Sequence, residues 1–209
     1  MKIALIDYGA GNLFSVQRAL KFVGADYYLA TRPEQILTAD KLILPGVGAF
    51  ADGMANLKKN QLDQAIKTAV LNNKKPILGI CLGMQLMMTE GLEFGRTQGL
   101  NLIPGLVNKI NTQAKLPQIG WNNIKINSSS PLLTGLKTGD YFYFVHSYVV
   151  RPKNNQVIAA TTSYGQDVFC SVISYNQVYG TQFHPEKSGN KGLKIYQNFV
   201  RNVRPAAGG

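Results

Sequence analysis

The chain has 209 residues, with 22 basic and 11 acidic side chains, a net charge of +11, and 45% apolar content. That length and composition suit one α/β domain (residues 1–209) with a full core and exclude a disordered chain. No apolar run approaches the ~20 residues of a membrane helix, and two cysteines, Cys81 and Cys170, make neither a disulfide framework nor a metal site. The scattered lysines read as a solvated cationic surface, with an acidic protein as the next partner and nucleic acid well behind. No membrane association is expected.

The start, "MKIALIDYGAGN", lacks the length and cleavage site of a signal peptide and reads as a first strand. A cytoplasmic protein with reduced thiols is therefore expected. "KIALID" predicts a strand over 2–7. In "NLFSVQRALKFVG", Leu13, Val16, Leu20 and Val23 recur at helical spacing, and Gly24 ends the run. "DYYLAT" is a second strand, "PEQILTAD" a short helix, "KLILPG" a third strand, "QLDQAIKTAVLNN" a helix and "PILGIC" a fourth strand. This alternation implies a parallel sheet covered on both faces, with ligands at the carboxyl ends of its strands.

From about Gly99 the texture becomes β-rich. "GLVNKI", "WNNIKIN", "YFYFVHSYVV", "VIAATTSYG", "VFCSVISY" and "VYGTQFH" predict mixed or antiparallel strands extending the same sheet, with a hairpin turn in "SYNQV". A last helix, "NKGLKIYQNFVRNV", closes the domain, and "RPAAGG" reads as a frayed tail. The fold class is thus α/β, a three-layer open mixed sheet, mostly parallel in its first half with a β-rich antiparallel extension.

"GICLGM" places Cys81 between Gly79 and Gly83 where a strand stops and a helix, about 83–89, starts. This is the spacing of a nucleophile elbow. The glycines relieve crowding around the turn. The helix amino end favours thiolate, and the Leu82 N–H is free for a developing oxyanion. A buried packing cysteine is the competing reading for Cys81 and the favoured one for Cys170 inside "VFCSV". His184, in "GTQFHPEKS", is the candidate base. In an extended segment His184 and Glu186 face the same side, so the carboxylate orients the imidazole. His146 has no carboxylate two residues away and is assigned to binding or packing.

"GICLGMQLM" with "TQFHPEKS" resembles the class I, triad-type glutamine amidotransferases. "DYGAGN", "LILPGVGAF", "LPQIGWNNI" and "YFVHSY" are similar, within that class, to the glutaminase subunits of imidazole glycerol phosphate synthase. The resemblance runs almost end to end. It implies glutamine hydrolysis through a thioester on Cys81, with His184 and Glu186 completing the triad and no cofactor or metal. It further implies an oxyanion strand at "PGVG", with the Val47 and Leu82 amides as donors, and substrate contacts from Gly46, Gly48, Gln85, Ser147 and Tyr148. Ammonia would pass to a (βα)8-barrel cyclase partner, in a heterodimer that makes imidazole glycerol phosphate and an aminoimidazole carboxamide ribotide for histidine synthesis. The docking face implied carries Asn12, Gln118, Trp121 and Lys187. The family usually has histidine at 118, and paralogues that amidate a surface sugar share most motifs, so that acceptor stays open. A catalytically silent subunit and a free-standing cysteine hydrolase are weaker readings.

Overall fold

In the computed structural model, which describes residues 1–205, strand β1 (Lys2–Ile6) shows how the core is built. Ile3 and Leu5 point to one side of the sheet and Ala4 and Ile6 to the other, and all are buried. A strand hydrophobic on both faces has to be covered on both. Helix α1 (Leu13–Phe22) packs Val16, Ala19 and Leu20 on the first side. Asn12 caps it by accepting from Ser15 N–H at 3.2 Å, and Gly24 ends it at φ +71°. Next come β2 (Asp26–Ala30), α2 (Pro33–Thr38), β3 (Lys41–Leu44), α3 (Phe50–Lys59), α4 (Leu62–Lys67), β4 (Ile77–Ile80) and α5 (Leu82–Leu86). Helices α2 to α5 bury Ile36, Phe50, Leu57, Ile66 and Met84 on the other side.

The second half runs β5 (Met88–Gly91), β6 (Thr97–Gln98), β7 (Ile103–Lys109), β8 (Gln118–Asn123), β9 (Lys125–Ile126), β10 (Tyr141–His146), β11 (Tyr148–Pro152), β12 (Ile158–Tyr164), β13 (Asp167–Tyr175) and β14 (Val178–Thr181). It closes with α6 (Gly189–Arg201), which joins α1 on its face of the sheet. The main sheet has eight strands in the order β2-β1-β3-β4-β14-β13-β12-β9, parallel from β2 to β14 and antiparallel beyond. This is the expected three-layer mixed architecture.

Four expectations need correction. Helix α3 has no counterpart in the sequence reading. The turn of helix after Cys81 spans only Leu82–Leu86, and Thr89 lies in β5. "YFYFVHSYVV" is two strands, broken at Ser147 so that β10 pairs with β8 and β11 with β7. These pairs belong to separate sheets of two and four strands rather than to an extension of the main one. A continuous apolar run cannot reveal such a break, because both halves are buried. The hairpin turn at "SYNQV" forms as expected, with Tyr175 opposite Val178 and Asn176 at φ +50°. Of the predicted tail, residues 206–209 lie outside the described residues. No helix among the described residues is long and apolar enough to cross a membrane.

Lys41 is buried at the start of β3, with its ammonium at the carboxyl end of α6. It donates to the carbonyls of Phe199 and Val200 at 2.8 Å each and to that of Val203. Helix carbonyls of the last turn have no partners within the helix, so this cation satisfies them from outside. Replacing it by Met keeps the volume and orphans those acceptors. Lys41→Met is expected to lower unfolding free energy by about 2–3 kcal/mol in chemical denaturation; an unchanged midpoint would contradict this role.

Candidate active site

Cys81 follows β4 with φ +52° and ψ −108°, a backbone strained for any side chain other than glycine, of order 1–3 kcal/mol. Its N–H continues the ladder to the Thr181 carbonyl at 2.8 Å, and its carbonyl accepts from Gln85 N–H at 3.1 Å. The flanking glycines are explained by contact. A Cβ on Gly79 would come within 2.7 Å of the Met84 nitrogen, and one on Gly83 would collide with the Leu44 carbonyl. The elbow therefore closes only with hydrogen at both positions.

Strand β14 brings the base. It pairs in parallel with β4, Thr181 opposite Ile80. Three residues on, the His184 N–H donates to the Tyr143 carbonyl at 2.9 Å. The strand stops at Thr181, and Pro185–Lys187 form a 3-10 turn, so His184 and Glu186 meet across a turn and not by strand alternation. His184 Nδ1 lies 2.7 Å from Glu186 Oε1. Tyr196 of α6 donates its hydroxyl to Glu186 Oε2 at 3.3 Å, and Ser188 Oγ donates to the His184 carbonyl at 2.6 Å while accepting from Tyr143 N–H at 3.0 Å. Burial and the adjacent Glu186 raise the Tyr196 phenol, which stays a donor.

His184 Nε2 is buried with no hydrogen-bond partner among the protein atoms described. Burial opposes protonation of this ring, yet the Cys81 sulfur and the Glu186 carboxylate outweigh it and raise His184 to about 10. An imidazole placed between a sulfur and a carboxylate is suited to take up a proton and to return it to a leaving group.

A cavity of about 630 Å³ opens over Cys81. Val47, Gly48, Leu82, Gln85, Ser147, Tyr148, His184 and Lys187 line it. Gly46 lies against the elbow itself, where a Cβ would be 2.9 Å from that of Leu82. Gly48 has φ +106°. Tyr8, drawn from β1's end, donates its hydroxyl to the Pro45 carbonyl at 2.9 Å and holds this loop in place. A cleft of about 680 Å³ between α1 and α6 is lined by Ser15 and Glu186 but by neither the Cys81 thiol nor an imidazole, so the candidate site is the cavity over Cys81.

His146 also lines the cavity. Burial lowers it to about 4 against the opposing pull of the Tyr148 carbonyl, which accepts from Nδ1 at 3.0 Å. It is a neutral wall, packed edge-on to Phe169, as the binding or packing assignment expected. Cys170 is buried in β13 with its sulfur 3.5 Å from the Val172 carbonyl, in a packing position.

Two residues escaped the sequence reading. Among the described residues Glu93 is the only carboxylate lining the cavity, and its Oε2 accepts from Phe50 N–H at 2.8 Å. Its loop position carries no periodicity to mark it. Gln182 is fully buried with its amide 3.7 Å from the Cys81 sulfur.

Of the expected docking residues, Trp121 is 57% exposed and so is not core; it stands edge-on to Tyr143, over whose ring Lys187 Nζ sits at 5.7 Å. Asn12 is exposed. Gln118 departs from the expectation: it is buried opposite His146, because the paired β8 and β10 turn that face inward.

Replacing the nucleophile should release the imidazole. In Cys81→Ser the sulfur's share of the attraction is lost and burial pulls His184 down from about 10. NMR titration of the His184 ring is expected to show a drop of more than one pH unit. A ring still titrating near 10 would show that the sulfur does not face it.

A family model described as glutamine amidotransferase class-I matches residues 4–203. The imidazole glycerol phosphate synthase subunit HisH of Dehalococcoides mccartyi (strain CBDB1) is 47% identical over 199 residues, covering 95% of this chain and 96% of that one. The subunit HisH 1 of Methanococcus maripaludis is 46% identical over 203 residues, covering 96% of this chain and 100% of that one. Among solved structures, PurLQS from Thermotoga maritima superposes with a TM-score of 0.76 at 17% identity, covering 97% of this chain and 99% of that one, a likeness of fold. On the family model and these relatives, the chain belongs to the class-I glutamine amidotransferase family, in the group of the HisH subunits.

Proposed function

We propose that this chain, acting as one domain, hydrolyses glutamine to glutamate and ammonia and delivers the ammonia to a cyclase subunit of (βα)8-barrel fold in histidine biosynthesis. The observation that carries the reading is the buried His184–Glu186 pair, 2.7 Å apart, whose imidazole shares the cavity wall with Cys81 while the carboxylate stands behind it.

The chemistry follows from the groups present. The Cys81 sulfur attacks the side-chain carbonyl carbon of glutamine, and the carbonyl oxygen becomes an oxyanion. The Leu82 N–H, left over by the helix ladder, and the Val47 N–H in the adjoining loop are the donors assigned to it. The C–N bond breaks as His184 returns its proton to the departing nitrogen, leaving ammonia and a thioester. Water, deprotonated by His184, then adds to the thioester carbon and expels the sulfur, giving glutamate. Glu186 holds the ring throughout. Gln85, Ser147, Tyr148, Gly46 and Gly48 form the substrate wall, and Glu93 offers the α-ammonium its counter-charge.

Ammonia released into water near neutral pH is largely protonated and loses its nucleophilicity, so a covered exit to a partner is required. Exposed apolar side chains beside the catalytic turn support such a partner. Ile119 and Trp121 of β8, Tyr141 of β10, and Phe14 and Phe22 of α1 are all more than half exposed. Asn12, Trp121 and Lys187 sit among them as the rim. The subunit names of the relatives support the histidine-pathway acceptor over a sugar.

Glutamate release is expected to be weak for the chain alone and to rise at least tenfold with the cognate cyclase and its phosphorylated ligand. Cys81→Ser is expected to remove at least 99.9% of it, consistent with loss of a nucleophile. Deleting the gene should cause histidine auxotrophy; prototrophic growth with altered surface polysaccharide would overturn the acceptor, and full turnover by Cys81→Ser would overturn the mechanism.

A further inference from the structure

We infer that Gln182 is a positioning residue for the nucleophile: it donates its amide N–H to the Cys81 sulfur and ties that sulfur to the wall of the substrate cavity. The inference rests on the reading of Cys81 as the reacting thiol.

The orientation of the carboxamide follows from its neighbours. The Tyr148 carbonyl can only accept, so the group facing it at 2.9 Å is the Gln85 NH2. That same Gln85 nitrogen lies 3.3 Å from the Gln182 side-chain oxygen and donates to it. The remaining end of the Gln182 carboxamide is its NH2, 3.7 Å from the Cys81 sulfur. Turning the Gln182 amide over would set two NH2 groups face to face inside the protein and leave the carbonyl oxygen against the sulfur. The first contact sets donor against donor between two buried side chains, and the second removes the only side-chain N–H that the hydrogen bonds direct at the sulfur. One acceptor on β11 therefore sets the direction of two successive carboxamides and ends with an N–H aimed at sulfur.

Besides the His184 ring, the sulfur has the Val145 carbonyl at 3.9 Å, an acceptor that disfavours negative charge there. An N–H from Gln182 offsets it and stabilises the thiolate more than the thiol. The side chain is fully buried and begins one residue after β14 ends, so it has little freedom to move away. A glutamine buried only for packing would not need this polarity, because a leucine has nearly the same shape.

The arrangement has a second consequence. Gln85 uses its nitrogen on Tyr148 and Gln182, which leaves its carbonyl oxygen as the free end of a side chain that lines the cavity. Tyr148, Gln85, Gln182 and Cys81 form one chain of hydrogen bonds, so a substrate seated on Tyr148 and Gln85 bears on the position of the sulfur.

The test uses iodoacetamide, which reports thiolate availability without requiring glutamine turnover. In Gln182→Leu the alkylation of Cys81 at neutral pH is expected to fall about tenfold and its pH profile to move to the alkaline side, while far-UV circular dichroism stays that of the wild type. The complex with the cyclase is expected to lose kcat for glutamine by a similar factor. A folded Gln182→Leu with the wild-type alkylation profile overturns the inference. If the variant does not fold, the wild-type protein decides: the Gln182 side-chain NH2 resonances must shift when Cys81 is alkylated, and unchanged resonances overturn the inference. Absence of glutaminase activity in the wild-type complex would count against the proposed function instead, and leaves the alkylation result as the test of the N–H to sulfur contact.

Discussion

The parallel ladder between β4 and β14 is the interaction on which the rest depends. Thr181 pairs with Ile80, and the Cys81 N–H takes the Thr181 carbonyl as the last rung. One strand then ends in a sharp turn carrying a thiol, and its neighbour runs on three residues to an imidazole. Two side chains more than a hundred positions apart in the chain meet because a single rung fixes the register. Slipping that register by one residue would send every side chain of β14 to the opposite face. The strain in the Cys81 backbone is held by this ladder on one side and by the close approach of Gly83 to the Leu44 carbonyl of β3 on the other.

Electrostatics are organised in the same place. Two neighbours favour the protonated form of His184 and outweigh its burial, while burial favours the neutral form of His146 in the wall of the same cavity. One ring sits between a carboxylate and a sulfur, and the other faces a backbone carbonyl and aromatic rings. Equal exposure would not produce this division. It requires that Glu186 be held by Tyr196, and hence that α6 be seated where Lys41 receives its last carbonyls. The final helix thus links the far end of the core to the orientation of the Glu186 carboxylate.

Much of this was legible in the residues. The alternation of apolar strands and amphipathic helices carries the parallel half, because β1, β3 and β4 are buried on both faces, while the edge strand β2 buries only Ala30. Glycines at 79 and 83 mark the elbow, and "HPE" marks the base. The route to the His–Glu contact was different from the expected one, since the 3-10 turn after Pro185 replaces strand alternation. The β-rich half was legible as strands but not as separate sheets. Pairing partners there depend on which faces the preceding helices leave uncovered, and the apolar content of β7, β10 and β11 is the same either way. Gln118 reads as a surface polar residue, and its burial comes from the register of β8 against β10.

The amino-acid sequence by itself determined the elements that local physics controls: strand and helix identity from periodicity, the cysteine turn from its glycines, and the capped start and glycine stop of α1. It also singled out Cys81 and His184 as the candidate nucleophile and base, since few residue types can do that work. Only the tertiary structure decided which polar groups face them. Glu93, Gln182, Tyr196 and Lys41 show nothing distinctive along the chain. Their roles arise because burial removes water as a competing partner, and each must then be satisfied by whatever group the folding of remote segments places within hydrogen-bond reach.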